Sequence, residues 1–208
     1  MNNSLTLYKF RSLNNFEFIA DIILNKQFYA AQFFDLNDPM EGFFRYDKRA
    51  KNEYINDIVK RKKKLRICSF SHTYENILMW AHYADGFKGV CFEVKVQNES
   101  NDFKRTPVTY NTAITPLTNN PIKEIAQTIL SQKNKSWSYE KEIRTLSTKK
   151  FIKEGIEITA ILLGQRIPEP LKNLILKLTE GTSIEVWNTK LDTEQNEIIK
   201  ADRLTDSH

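Results

Sequence analysis

The chain has 208 residues, of which 40% are hydrophobic and 27% charged, and this composition excludes an intrinsically disordered protein. Its formal net charge of +5 permits an anionic partner, such as a nucleic acid, a nucleotide or an acidic protein, without requiring one. Two cysteines exclude a disulfide framework, and the absence of a signal peptide or of ~20 consecutive apolar residues predicts a cytoplasmic protein that does not associate with membranes.

Strands and helices follow one another irregularly along the chain. In chain order we predict a strand at 5–10, a helix at 16–24, a strand at 27–32, a turn at 37–39, a helix at 47–64, a strand at 65–71, a helix at 76–83, strands at 90–96 and 108–110, a helix at 121–133, strands at 142–147 and 156–163, a helix at 170–178 and a strand at 183–191. Because strict βαβ alternation is missing, we predict an α+β fold: a mixed, mostly antiparallel sheet with flanking helices. A single domain is expected over residues 1–192, followed by a polar C-terminal tail over 193–208.

Two of the predicted strands end in residues that suit phosphate or ribose binding. Arg11 ends the first strand, and its planar guanidinium fork matches a phosphate or a carboxylate. Ser69 and Ser71 end a later strand, and alternation places both hydroxyls on one face, where they can hold a ribose or an amide. The alternatives are a surface arginine and a strand that simply runs out into solvent.

The most distinctive stretch is Trp137-Ser-Tyr-Glu-Lys-Glu-Ile-Arg. Glu140 and Glu142 are predicted to lie on one side of a strand with Arg144, and two carboxylates so close require either a raised pKa or cations between them. We interpret this pair as catalytic; the alternative is an exposed edge with an ion pair between Glu140 and Arg144.

Three further stretches carry polar or aromatic residues. Asn37, Asp38 and Glu41 belong to a polar turn between aromatic runs, while Trp80 and Tyr83 lie one helical turn apart. Ordered packing explains both sets without a function. Lys60 to Lys64 end a predicted helix, where lysines suit the helix dipole, and a contact with nucleic acid is the alternative.

Together these stretches resemble a widespread bacterial family, the domain of unknown function 2971 family. The matching motifs, from Leu7 to about Gly164, are Leu7-Tyr-Lys-Phe-Arg-Ser, Asn37-Asp-Pro-Met-Glu, Cys68-Ser-Phe-Ser, Met79-Trp-Ala-His-Tyr, Gly89-Val-Cys-Phe-Glu and Trp137-Ser-Tyr-Glu-Lys-Glu-Ile-Arg. Each motif is weak alone, but their order is specific. The family description implies no activity.

The chain also resembles, more distantly, ADP-ribosyltransferases of the arginine–serine–glutamate type, which carry an arginine on the first strand, then Ser-x-Ser, then Glu-x-Glu. This resemblance implies an ADP-ribosyltransferase-like fold and NAD as substrate, with Arg11 on an NAD phosphate and Ser69 or Ser71 on the nicotinamide ribose. Glu142 would stabilise the oxocarbenium-like centre as nicotinamide leaves, and Glu140 would face the acceptor.

The remaining polar and aromatic residues are distributed between the two substrates. We assign Tyr8, Trp80 and Tyr83 to the cofactor side of the site. We assign Asn37, Asp38 and Glu41 to the acceptor substrate.

Three functions remain open. The first is an NAD-dependent ADP-ribosyltransferase that modifies a protein or nucleic acid without a metal, as a toxin or phage-defence effector with an antitoxin or operon partner. The second is a metal-dependent nuclease that uses Asp38, Glu41, Glu140 and Glu142 and holds phosphates with Lys60 to Lys64. The third is a non-catalytic module that binds nucleic acid through its basic and aromatic residues.

Overall fold

A computed structural model describes residues 4–46, 51–111 and 122–205. Its strands are β1 (Leu5–Arg11), β2 (Phe28–Tyr29), β3 (Arg66–Ser71), β4 (Val90–Val96), β5 (Lys104–Pro107), β6 (Thr109–Asn111), β7 (Gln132–Asn134), β8 (Glu142–Ser147), β9 (Phe151–Ile152), β10 (Ile156–Leu163), β11 (Glu185–Asp192) and β12 (Glu197–Arg203). Its helices are α1 (Phe16–Asn25), α2 (Asn52–Lys64), α3 (Ile77–Tyr83), α4 (Ile122–Ile129) and α5 (Glu169–Thr179), with 3-10 helices at Phe33–Asp35 and Lys135–Glu140. Residues 112–120 and the first residues of two predicted helices, 47–50 and 121, lie outside the described residues.

Eight of the described strands form one mixed sheet in the order β12-β11-β10-β4-β1-β3-β8-β5. β10 and β11 are parallel, and the other neighbours in this sheet are antiparallel. The predicted α+β class, with a mostly antiparallel sheet and flanking helices, is therefore confirmed. Within the described ranges, no helix is long and apolar enough to cross a membrane.

Both faces of the sheet are covered, which explains why its central strands are rich in apolar residues. On one face Leu7, Phe92 and Ile161 pack with α1 and α5. On the other face Phe10 and Cys91 pack with residues of α3. A strand buried on both sides needs apolar residues at consecutive positions, as β10 has.

Residues 197–203 belong to the sheet as β12, which corrects this part of the polar tail predicted over 193–208. β12 pairs antiparallel with β11 at the edge of the sheet, and Ile198 is buried there. An edge strand keeps one side in solvent, so a polar composition does not prevent it from forming. Two element predictions also change: the helix predicted to reach 133 ends at Ile129 and is followed by β7, and the strand predicted at 27–32 is reduced to β2.

The sheet opens between β1 and β3. β1 is in register with β4 from Leu5 to Arg11, and β3 with β8 from Arg66 to Ser71. Between β1 and β3, however, the register holds at Tyr8 and Ser71 alone within the described part of the chain. Further along β3, Ala31 takes the place of β1, with backbone hydrogen bonds of 2.8 Å in each direction to Ile67. The strands therefore part after Tyr8 and leave a split in the sheet.

Candidate functional site

A cavity of about 270 Å³ lies at this split. It is bordered by the end of β1, by β3, by the start of β8 and by the turn at 35–41. Of the residues selected from the sequence, those that line it are Tyr8, Arg11, Asn37, Asp38, Glu41, Ser69, Ser71, Tyr83, Glu140 and Glu142. The volume lies just below the usual range for ligand pockets, so a dinucleotide would extend beyond the cavity.

Arg11 reaches the cavity from the last position of β1. Burial lowers the pKa of its guanidinium. Among the described residues its side chain forms no hydrogen bond or ion pair at standard distances, so the fork has donors available to a ligand in the cavity.

Ser69 and Ser71 share a face of β3 as predicted, but they differ in their availability. The Ser71 hydroxyl is buried, donates to the Glu140 carbonyl at 2.7 Å and accepts from the Thr73 amide at 3.3 Å. Ser69 is partly exposed to the cavity, and its hydroxyl helps to hold down the pKa of Glu142. Ser69 is therefore the serine that a ligand can reach.

Glu140 is the last residue of the 3-10 helix that precedes β8 rather than part of the strand. Lys141 follows in the left-handed region, with φ of 44°, and turns the chain into β8. The Tyr83 hydroxyl donates to Glu140 Oε1 at 2.5 Å, and Lys133 Nζ lies 2.6 Å from Oε2. Burial, and then the bond to Glu140, raise the pKa of Tyr83. The ion pair of Glu140 with Arg144, the alternative considered from the sequence, does not form, because Lys133 takes that place.

Glu142 is fixed by Arg144, whose side chain is fully buried. The Arg144 guanidinium donates from Nε to Glu142 Oε1 at 2.8 Å and from Nη2 to Oε2 at 3.0 Å. It also binds both carboxylate oxygens of Glu41, and it donates to the Leu130 carbonyl at 2.8 Å. This one side chain therefore joins β8 to the turn that carries Glu41.

The charges around Arg144 act differently on the two carboxylates that it holds. Burial raises the pKa of Glu142, but Arg144 and Lys133 outweigh it and lower the pKa to about 2. Burial is stronger at Glu41, so the pKa of Glu41 is raised although Arg144 acts in the opposite direction. Glu142 is thus ionised throughout the neutral range, as an electrostatic catalyst of a cationic centre needs to be.

The turn with Asn37, Asp38 and Glu41 forms one rim of the cavity. Asp38 caps its own turn, since its Oδ1 accepts from the Met40 amide at 2.9 Å and its carbonyl accepts from the Glu41 amide at 3.0 Å. Asn37 and Asp38 both line the cavity. Glu41, although assigned to the acceptor substrate from the sequence, is committed to Arg144.

Trp80 is the selected residue that does not reach the cavity. Its side chain is fully buried, its indole donates to the Tyr74 carbonyl at 2.6 Å, and its ring packs edge-on against Phe10. Tyr83, one turn later on α3, lines the cavity instead. The position of Trp80 therefore corrects its assignment to cofactor binding: it is a core residue that supports α3.

Lys9 and Lys133 also line the cavity, and neither was selected from the sequence. Lys9 lies two positions before Arg11 on β1. Because side chains alternate along a strand, this spacing indicates that Lys9 and Arg11 share one face of β1. The sequence predicts Lys133 as the end of a helix, and no local pattern indicates that it belongs to β7 and pairs with Glu140 and Glu142.

The carboxylates do not form a cation site by the usual criteria. Within the described ranges there is no group of three or more His, Cys, Asp or Glu residues arranged to hold a metal ion. Arg144 and Lys133 occupy the space between Glu41, Glu140 and Glu142 that a metal would take.

Comparison with known proteins finds similarity to one family over part of the chain, and it gives no activity. No curated protein and no solved structure is significantly similar to the chain. The segment that matches a family model, residues 79–145, runs from α3 into β8 and includes Tyr83, Glu140 and Glu142. Arg11 and Ser69 precede this segment. The resemblance predicted from the motifs is confirmed, because residues 79–145 match the family described as Protein of unknown function (DUF2971).

Proposed function

We propose that the protein is an NAD-dependent ADP-ribosyltransferase that modifies a protein or a nucleic acid, as a toxin or phage-defence effector does. The observation that supports this most is that three strands bring the selected residues together. β1, β3 and β8 are neighbours in the sheet, and they bring Arg11, Ser69 and Glu142 to the same cavity. Pairing with β4 fixes β1 as far as Arg11, and pairing with β8 fixes β3, so these side chains hold defined positions, as a catalytic group needs.

The charges of the cavity complement those of NAD. NAD carries a negative diphosphate and a positive nicotinamide–ribose end. Arg11 offers an unpaired cation, while the inner cluster of Glu41, Glu140 and Glu142 against Lys133 and Arg144 has one more carboxylate than cations. With all five groups ionised, this cluster keeps a formal charge of about −1 beside the ligand, which suits a cationic sugar.

The reaction follows from this arrangement. The bond between C1′ of the ribose and the nicotinamide nitrogen breaks, and its electron pair leaves with nicotinamide. The sugar becomes an oxocarbenium-like cation, which the fixed charge of Glu142 stabilises, much as carboxylates do in glycoside hydrolysis. An acceptor nucleophile then forms a bond to C1′ and releases its proton to solvent or to a carboxylate.

The two other functions have weaker support. A metal-dependent nuclease needs carboxylate oxygens free for a cation, but Arg144 and Lys133 already hold Glu41, Glu140 and Glu142. A nucleic-acid-binding module based on the basic run of α2 loses one of its cations, because Lys62 is buried and donates to the Gly42 carbonyl.

The test is nicotinamide release from NAD by the purified protein, with water or a cell extract as acceptor. Release should occur with the natural chain and fall by about a hundredfold or more in Arg11→Gln. Arg166→Gln, which replaces an exposed arginine outside the cavity, is the matched control and should keep full activity. Neither binding nor cleavage of NAD at millimolar concentration, with manganese-dependent cleavage of nucleic acid instead, would replace this proposal with the nuclease.

A further inference from the structure

Lys9 bridges the split in the sheet. On the edge of β3 that faces the split, Ser71 pairs with Tyr8 of β1, and Ile67 pairs with Ala31. Because the backbone N–H and C=O groups of alternate residues point to the same edge of a strand, those of Ser69 point into the split. The Lys9 ammonium donates to the Ser69 carbonyl at 2.6 Å. The ammonium also interacts with the Cys68 side chain, so at least one of its three donors remains for a ligand in the cavity.

Lys9 and Arg11 differ from the other cations of the cavity in lacking a carboxylate partner. Arg144 is paired with Glu41 and Glu142, and Lys133 with Glu140 and Glu142. Within the described part of the chain, no carboxylate lies within ion-pair distance of either β1 cation.

The electrostatic surroundings of Lys9 agree with an unpaired cation. Burial lowers the pKa of Lys9 to about 8 and the positive charge of Arg11 contributes to this, while Cys68 and Glu142 act in the opposite direction. Two cations on one strand face, both partly desolvated, repel each other until an anion lies between them.

We propose that Lys9 is a second anion-binding residue beside Arg11, and that the two together hold a diphosphate. The inference deepens the proposed function, since NAD carries this group, but the site would bind a diphosphate whether or not NAD is cleaved. The alternative role for Lys9 is structural: its bond to the Ser69 carbonyl would only close the split.

The experiment measures binding of ADP, inorganic diphosphate and adenosine to the full chain by calorimetry. Lys9→Gln should weaken the binding of ADP and of inorganic diphosphate by about ten- to a hundredfold, the range for a lost charged hydrogen bond, and Lys9→Arg should retain most of it. Lys95→Gln, an exposed lysine of β4 outside the cavity, is the control and should bind like the natural chain.

A pH series separates the binding role from the structural one. The affinity of the natural chain for ADP should fall as pH rises from 7 to 9.5, because Lys9 loses its proton, and the fall should be absent in Lys9→Arg. If Lys9→Gln does not fold, this comparison with Lys9→Arg alone decides the question. Equal losses for adenosine and ADP in Lys9→Gln, or a pH profile unchanged in Lys9→Arg, would overturn the proposal.

The outcomes also separate this inference from the proposed function. ADP binding that depends on Lys9, without cleavage of NAD, would support the diphosphate site and refute the transferase. Cleavage of NAD by Lys9→Gln with an unchanged KM would support the transferase and refute the diphosphate site. If the natural chain binds neither ADP nor inorganic diphosphate, the site is refuted directly.

Discussion

Replacing Glu142 by glutamine should destabilise the fold as well as remove activity. The pKa of Glu142 falls from 4.5 to about 2 in the fold, a difference that corresponds to about 3 kcal/mol in favour of the ionised carboxylate. Glutamine keeps the shape of the side chain but not its charge. We therefore expect the free energy of unfolding at pH 7 to fall by up to about 3 kcal/mol.

The stability that the Glu142 carboxylate provides should depend on pH. Because folding lowers the pKa of Glu142, its stabilisation is fully present above about pH 4.5 and is lost as the pH falls toward 2. The free energies of unfolding in urea of the natural chain and of Glu142→Gln should therefore differ at pH 7 and become equal as the pH falls from 4.5 to 2. If Glu140 and Glu142 simply repelled each other, the variant would instead be as stable as the natural chain or more so.

Glu41→Gln is the matched control, because Glu41 binds the same guanidinium. Burial raises the pKa of Glu41, so its ionised form is disfavoured in the fold and its neutralisation costs less at pH 7. The reasoning would be refuted if Glu142→Gln were as stable as the natural chain at pH 7, if Glu41→Gln lost more stability than Glu142→Gln, or if the difference persisted at pH 2.

The activities of Glu142→Gln and Glu140→Gln must be measured under conditions in which both variants are folded, because stability and catalysis are both expected to change. Below the unfolding transition, Glu142→Gln should release nicotinamide about a hundred- to a thousandfold more slowly. Glu140→Gln should lose less, because Glu140 is bound to Tyr83 and Lys133 and faces the acceptor in this proposal. A folded and fully active Glu142→Gln would make Glu140 the principal carboxylate.

Three further predictions concern ligand binding and the core. NAD at ~100 times its dissociation constant should add about 2.7 kcal/mol to the free energy of unfolding and raise the thermal midpoint, and no shift would contradict NAD binding. Lys62→Met should lower the free energy of unfolding in urea by about 1.5–3 kcal/mol, because the Lys62 ammonium is buried against the Gly42 carbonyl. The control Lys63→Met, at an exposed position, should change it by less than about 0.5 kcal/mol. Equal losses of stability in the two variants would contradict the burial of Lys62. Trp80→Phe should lower the thermal midpoint but leave the shift caused by NAD unchanged, and a lost shift would return Trp80 to the binding site.

Local patterns predicted the elements that carry the cavity. β1, β3, β4, β8 and β10 begin and end within about one residue of the predicted strands, because alternating or continuous apolar residues mark a strand without reference to the rest of the chain. The ends of β1 and β3 and the start of β8 then positioned Arg11, Ser69 and Glu142 in the prediction. That these positions border one cavity depends on strand order, which the sequence does not encode locally.

Long-range pairing explains what the sequence did not reveal. Lys133 belongs to β7, which runs parallel to β6, and it meets Glu140 at the far end of the 3-10 helix that follows. Glu41 meets Arg144 across 103 positions of the chain. The split in the sheet depends on Ala31 replacing β1 beside Ile67, a pairing for which no local pattern exists. Topology decides which charged groups meet, so Glu140 pairs with Lys133, seven positions away, and the alternative ion pair with Arg144 does not form.

The buried ion cluster is difficult to explain as a device for stability. Removing charged groups from water costs several kcal/mol for each ion, and an apolar core of the same volume is often as stable or more stable. Arg144 is nevertheless fully buried, and five charged side chains share the wall of an open cavity. What the cluster does provide is rigidity: each carboxylate is held by at least two donors, and its position relative to the cavity is fixed before a ligand arrives. A preorganised charge of this kind stabilises a cationic transition state without the cost of reorienting solvent, and perturbed pKa values in a cleft are typical of functional sites. The cost of burying the cluster is thus more consistent with a catalytic or ligand-binding cavity than with a core assembled for stability alone.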